Sequence, residues 1–273
     1  MSLPKWAMLG CVLMFLFLMV AQAGVIPAQL VLYDDFKSSQ IAPSKWLGTP
    51  ADPDMREAVR ELVGEEENRR LRLSQRAYSA TTDDVGTSGG LFGLAFPAPN
   101  KITEVSFTVV VKAAQAVGCA SNPPPSGGIV TSQEFRGSFF NVEASPTSSS
   151  GDVSAVIGSQ RSPTDTSGAL TVVGFYGTPS TTLDYRVLGS IQPDTANTFH
   201  IKWDRANHQF IFQLNNGPEV VSPYTVSDST LPFFPVKSID VARVVPHCTT
   251  TPRPFTSVDA FFGNVYVNAT AVP

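Results

Sequence analysis

The sequence predicts an all-β sandwich, and three observations carry that reading. Apolar and polar residues alternate in about a dozen short runs bounded by Gly, Pro, Asn, Asp and Ser, which is the pattern of a half-buried strand. Only 15% of the 273 residues are charged, against roughly 25% in average globular chains, and the polar remainder is rich in Ser, Thr, Gly and Pro, which excludes a coiled coil or a long helical bundle. A chain of this length does not require two domains, because sandwiches and barrels of about 250 residues fold as one.

The elements follow in order. Residues 1–23 (MSLPKWAMLGCVLMFLFLMVAQA) combine Lys5, an apolar run from Ala7 to Val20 and small residues at Ala21 and Ala23, the signature of a cleavable secretory signal cut after Ala23. The apolar run is shorter than the ~20 residues that cross a bilayer, so an uncleaved anchor is the weaker reading and no stable membrane insertion is expected after cleavage. The remainder, 24–273, reads as a single exported domain, secreted or periplasmic. Strands are expected at 28–33, 102–112, 138–143, 153–158, 169–176, 197–203, 208–214, 236–245 and 261–267, each rich in Val, Ile, Phe and Thr. The turns DRAN after Trp203 and NNG after Leu214 make 197–221 a tight antiparallel meander. In 55–78 the like charges Arg56/Arg60 and Glu57/Glu61 disfavour a helix, and Leu71 and Leu73 alternate with Arg70 and Arg72, so two strands joined by a charged turn at 64–69 are expected. Loops are expected at 119–128, 145–151, 161–168 and 246–257.

Cys119 and Cys248 are the two cysteines beyond the signal, and an exported chain allows them to close as a disulfide. The formal net charge of −4, with Lys and Arg scattered, gives no basic field for a phosphate backbone, and nucleic acid is excluded as a partner.

The order of features resembles the concanavalin A-like lectin and glucanase superfamily. Asp34, Asp35 and Phe36 are followed ten residues later by Trp46, a strand ends in Trp203-Asp204, the next reads FIFQLNNG at 210–217, and the chain closes with VDAFFGNVYVN at 258–268. The resemblance implies a jelly-roll sandwich of two antiparallel sheets, with the first and last strands side by side. Proteins of that superfamily often carry a structural calcium ion near those strands, for which Asp34 or Asp35 together with Asp259 and backbone carbonyls are the candidates here; turn capping is the preferred role for these residues. No other cofactor is implied.

Chemistry is less legible than fold. The family 16 glycoside hydrolases on this scaffold place paired carboxylates on one strand as E-x-D-x-E or E-x-D-x-x-E, and no such run occurs here. EAVRE at 57–61 has Val59 in the middle place and reads as a solvated face balanced by Arg56 and Arg60. Glu104, Glu143, Asp184 and Asp240 lie singly on separate strands. There is no G-x-S-x-G elbow, the three histidines have no spacing that implicates a nucleophile, and GTSGG at 86–90 reads as a flexible loop. No catalytic residue is therefore assigned. Exposed aromatic rings suit pyranose faces, and the candidates are Trp46, Tyr78, Tyr176 and Tyr185, whereas Trp203 shares the inward parity of Phe199 and Ile201 and reads as core. Asn268-Ala-Thr270 is a glycosylation sequon. The expected role is an exported non-catalytic binding domain with carbohydrate as the ligand; the alternatives are a polysaccharide hydrolase or lyase on the same scaffold, and a structural or assembly protein of the cell envelope.

Overall fold

A computed structural model describes residues 30–51, 55–79, 83–123, 131–251 and 253–272. The expected signal segment lies outside the described residues. In chain order the strands are β1 (Leu30–Asp34), β2 (Leu47–Gly48), β3 (Met55–Val63), β4 (Arg70–Tyr78) and β5 (Thr87–Ala95). The middle of the chain gives β6 (Glu104–Val117), β7 (Thr131–Asn141), β8 (Asp152–Arg161), β9 (Leu170–Thr178) and β10 (Thr181–Ile191). Then come β11 (Ala196–Asp204), β12 (Gln209–Leu214), β13 (Val220–Pro223), β14 (Lys237–Pro246) and β15 (Phe255–Asn268). None of the described helices is long and apolar enough to cross a membrane.

Two antiparallel sheets form a jelly-roll sandwich, as the alternation and the resemblance both predict. The eight-stranded sheet runs β13-β12-β11-β6-β15-β4-β3, with β1 paired to β15, and the seven-stranded sheet runs β10-β9-β8-β7-β14-β5-β2. First and last strands do lie side by side, Leu30 opposite Asn268 and Val31 opposite Val267. The core between the sheets is aromatic: Phe107 packs edge-on to Phe199 at 5.4 Å and stacks on Phe262 at 6.1 Å. Trp203 stacks on Phe140 at 5.7 Å and donates its indole N–H to the Tyr224 hydroxyl at 2.8 Å, so its inward reading holds.

The Asp-Asp-Phe run with Trp46 has a mechanical role. One Asp34 oxygen accepts the Phe36 N–H at 2.9 Å and the other accepts the Trp46 indole N–H at 2.7 Å. Phe36 sits at φ +58, a left-handed conformation costly for a bulky residue, and is held there by this turn and by stacking on Trp46 at 5.8 Å. Trp46 is thus 3% exposed and belongs to the core rather than to a ligand surface.

Several expectations need correction. GTSGG at 86–90 is not a flexible loop; Thr87 onward is the first half of β5, paired with β14. The strand expected at 138–143 begins seven residues earlier, at Thr131, and the strand expected to carry Asp184, for which no bounds were set, is β10. The loop expected through 257 is shorter, because β15 starts at Phe255. The two strands in 55–78 form as expected, β3 pairing with β4 across a 3-10 turn at Glu66–Asn68. Arg60 does not balance a surface glutamate: it lies over the Phe92 ring at 5.0 Å and donates to the Thr49 and Gly93 carbonyls, both at 2.8 Å.

Cys119 and Cys248 are bonded across a sequence separation of 129, with Cα atoms 5.9 Å apart. Closing so long a loop removes unfolded-state entropy, so reduction is expected to lower stability by about 2–5 kcal/mol, read as a drop in the urea midpoint with and without reductant.

Candidate functional site

The outer face of the seven-stranded sheet carries a groove of about 760 Å³ whose lining includes Leu91, Glu134, Arg136, Gln160, Phe175 and Tyr185. Its geometry follows from strand register. On β7 the side chains of Phe135 and on β14 those of Ile239 and Val241 are fully buried in the core, so by the two-residue period their neighbours Glu134, Arg136, Ser238 and Asp240 face the groove side. One row across the sheet reads Gly93, Asp240, Glu134, Gly158, each directly opposite the next. The adjoining row reads Ser238, Arg136, Val156, Phe175, Tyr185.

Two carboxylates therefore meet at the centre of the sheet. Directly opposed residues bring their Cβ atoms to about 4.5–5.5 Å. Glu134, 4% exposed, accepts from Ser132 Oγ at 2.7 Å and from Arg136 Nε at 3.0 Å, and that ion pair holds the Arg136 guanidinium charged. Asp240 is shut from solvent; burial first, and then the Glu134 charge, push its carboxyl up to about 7, against the opposing effect of the Ser238 hydroxyl that it accepts from. The glycines on either side are required by space. A Cβ at Gly93 would stand 2.6 Å from Asp240 Oδ1, and one at Gly158 would stand 2.6 Å from Glu134 Cβ. The arrangement sets a carboxyl that holds its proton beside one paired with an arginine.

Of the four aromatic candidates, Tyr185 lines the groove: it is 47% exposed, stacks on Phe175 at 6.1 Å and accepts at its hydroxyl from Gln160 at 2.9 Å. Tyr176 and Trp46 are core residues, at 5% and 3% exposure. Their polar ends are satisfied internally, Tyr176 donating to the Pro223 carbonyl at 2.9 Å, so neither ring is available as a platform. Tyr78 lies half-buried on the other sheet, packed on Phe255 at 5.5 Å. Asp259 is gripped by Arg72 at 2.9 and 3.1 Å, and Asp35 accepts the Lys37 N–H at 3.1 Å. Asp259 thus has an arginine as its counter-charge, and the two do not join in a cluster of oxygen ligands among the described residues. Glu61 pairs with Arg72 at 2.9 Å and Glu57 is exposed, so EAVRE is a surface face. Asn268 is 6% exposed and bonded on both sides of its amide, to the Lys101 carbonyl and the Thr103 N–H at 2.9 Å each, so the sequon is an internal brace.

Glu134 and Arg136 were missed by sequence reasoning, and Asp240 was noted only as a lone carboxylate. The available signal was the alternation of Ser132, Glu134 and Arg136 around Phe135 in TSQEFR.

No protein family and no curated protein matches the chain by sequence. Its fold is similar to that of a laminarinase from Flavobacterium sp. UMI-01, at 10% identity and TM-score 0.42, covering 86% of this chain and all of that one. It is also similar to SCLam, a non-specific endo-β-1,3(4)-glucanase from family GH16, at 12% identity and TM-score 0.43, covering 88% and 91%. A third is the Crh5 transglycosylase in complex with NAG, at 12% identity and TM-score 0.45, covering 89% and 88%. The likeness is one of fold alone. The expectation of a non-catalytic binding domain is corrected: the structures sharing the fold are glucanases and a transglycosylase.

The raised Asp240 pKa makes a pH prediction. An unfolded aspartate titrates near ~3.9, and the folded one at about 7, so between these values the folded state holds a proton that the unfolded chain has lost. Stability is then greatest on the acid side and falls as pH rises through that window. Asp240→Asn is expected to flatten the fall, measured as urea midpoints at about pH 4.5 and about pH 7.5.

Proposed function

We propose that the chain is a polysaccharide-cleaving glycoside hydrolase whose active site is the groove on the seven-stranded sheet. The observation that carries this reading is the direct opposition of Glu134 and Asp240 on adjacent strands. Glycosidases work through paired carboxyl groups, and direct opposition on adjacent strands brings the Cβ atoms of this pair to about 4.5–5.5 Å.

In this reading the pair shares the proton that Asp240 keeps up to about pH 7. Glu134, the member of the pair that lines the groove and is positioned by Ser132 and Arg136, hands that proton to the glycosidic oxygen as the bond to the anomeric carbon breaks. Water adds to that carbon and gives its proton back to the pair, which returns to its starting state. Tyr185 and Phe175, stacked beside the carboxylates, offer apolar faces to a pyranose ring. The Cys119–Cys248 bond supports an oxidising, exported setting where such polymers are met. The similar glucanases make β-1,3- and mixed β-1,3/1,4-glucans the first substrates to try.

The test is a reducing-end assay on a panel of β-glucans, read in parallel for ultraviolet-absorbing unsaturated ends. New reducing ends without unsaturation are expected, with kcat falling by about 100-fold to 10,000-fold in Glu134→Gln while the folded spectrum is kept. Unsaturated ends would replace hydrolysis by elimination, and silence across the panel or full activity in the variant would sink the proposal.

A further inference from the structure

Away from the groove, three side chains that the glycosidase reading does not use form a relay at the start of β5. Ser88 Oγ lies 3.3 Å from His247 Nε2, and His247 Nδ1 lies 3.0 Å from Asp83 Oδ1. We propose that Ser88, His247 and Asp83 form a second catalytic centre, one that hydrolyses small carboxylic esters through an acyl-Ser88 intermediate.

Protonation follows from the partners. Asp83 also accepts the Val85 N–H at 2.9 Å, and this bond first, with the His247 contact, keeps its carboxyl below the usual range. An ionised carboxylate only accepts, so Nδ1 donates to it, and in the neutral ring Nε2 is then the atom that accepts from the Ser88 hydroxyl. That is the tautomer a general base for serine requires. The apo distance of 3.3 Å is within the loose range such pairs show before substrate binds.

The histidine is fixed from its own backbone. Its N–H donates to the Gly86 carbonyl at 3.1 Å, and Asn122 Nδ2 bridges the Gly86 and His247 carbonyls at 2.9 and 3.0 Å. The next residue, Cys248, is tied to Cys119. Gly86, at φ +81, makes the turn that brings Asp83 back to the ring.

An electrophile site is also built in. The His247–Gly86 bond fixes the ladder parity, so Ser88 and Gly90 bond toward β14 while Thr87, Gly89 and Leu91 point their N–H groups away from it. On that side β2 pairs with Leu94 and Ala95, and Thr49 exchanges hydrogen bonds with Gly93. The N–H of Gly89, directly after the serine, therefore points away from β14 and has no partner among the described residues. A donor in that place stabilises the oxyanion formed when serine attacks a carbonyl.

The step balances. The Ser88 hydroxyl passes its proton to His247 Nε2 as Oγ bonds to the ester carbon; the ester C–O bond breaks, and the alcohol leaves with that proton. Water repeats the sequence on the acyl-serine, releasing the carboxylic acid and restoring Ser88.

The experiment treats the folded, disulfide-bonded protein with a fluorophosphonate and with p-nitrophenyl acetate, and locates any adduct by peptide mass spectrometry. A phosphonyl adduct on Ser88 is expected, along with nitrophenol release that falls at least about 100-fold in Ser88→Ala. Asp83 is a positioning residue, so Asp83→Asn is expected to lower kcat with KM unchanged and to remove the downfield proton resonance of His247 Nδ1–H. An adduct confined to other residues, no adduct in protein shown to be folded, or unchanged hydrolysis in Ser88→Ala would overturn the proposal.

Discussion

The two-residue pleat of β7 and β14 governs both the stability and the chemistry of the seven-stranded sheet. These are central strands, and their inward residues, Phe135, Ile239 and Val241, are fully buried. Slipping either strand by one residue would turn those side chains out and drive Glu134 or Asp240 into an aromatic core. Hydrophobic burial thus fixes the register, and the register sets the carboxylates opposite each other. Their proximity is unfavourable in itself, since two desolvated acids oppose each other's ionisation. Ser132, Arg136 and Ser238 offset part of that cost through hydrogen bonds on the same face, and Asp240 relieves the rest by keeping its proton. Gly93 and Gly158 complete the unit, because a side chain at either would collide with the acid beside it.

Most of the fold was legible because most strands have one wet and one dry face. The strands that were missed or left without bounds lack that contrast for identifiable reasons. β10 is an edge strand whose side chains are largely exposed, so burial never imposed an alternating pattern on it. The first half of β5 is Gly-rich, and the first half of β7 carries charge because it floors a groove. Local rules fail where a site overrides them. The aromatic residues misled in the opposite direction: Trp46 and Tyr176 look like amphipathic platforms, but Asp34 and the Pro223 carbonyl satisfy their polar ends inside the protein.

Neither candidate site is local in sequence. Glu134 meets Asp240, and Ser88 meets His247 across 159 residues, because β14 inserts between β7 and β5, strands that precede it by long stretches of chain. Sequence spacing could not report this, since the crossover that brings the groups together is a property of the jelly roll. What composition did retain was the glycine at each close approach and the polar residues at alternate positions on β7.

The parity of β14 also separates the two chemistries. By strand parity Asp240 lies on the groove side of the sheet, beneath the lining, whereas His247 follows Val245, whose side chain is fully buried on the core side. A sugar chain lying against Glu134 is therefore on the opposite face of the sheet from the Ser88 hydroxyl. The two approach each other along the edge of β5, where Gly89 and Gly90 line the groove. Edge strands rich in apolar side chains invite pairing with another chain. Thr87 to Gly90 presents almost no apolar surface, and the N–H of Gly89, directed away from β14, has no partner among the described residues.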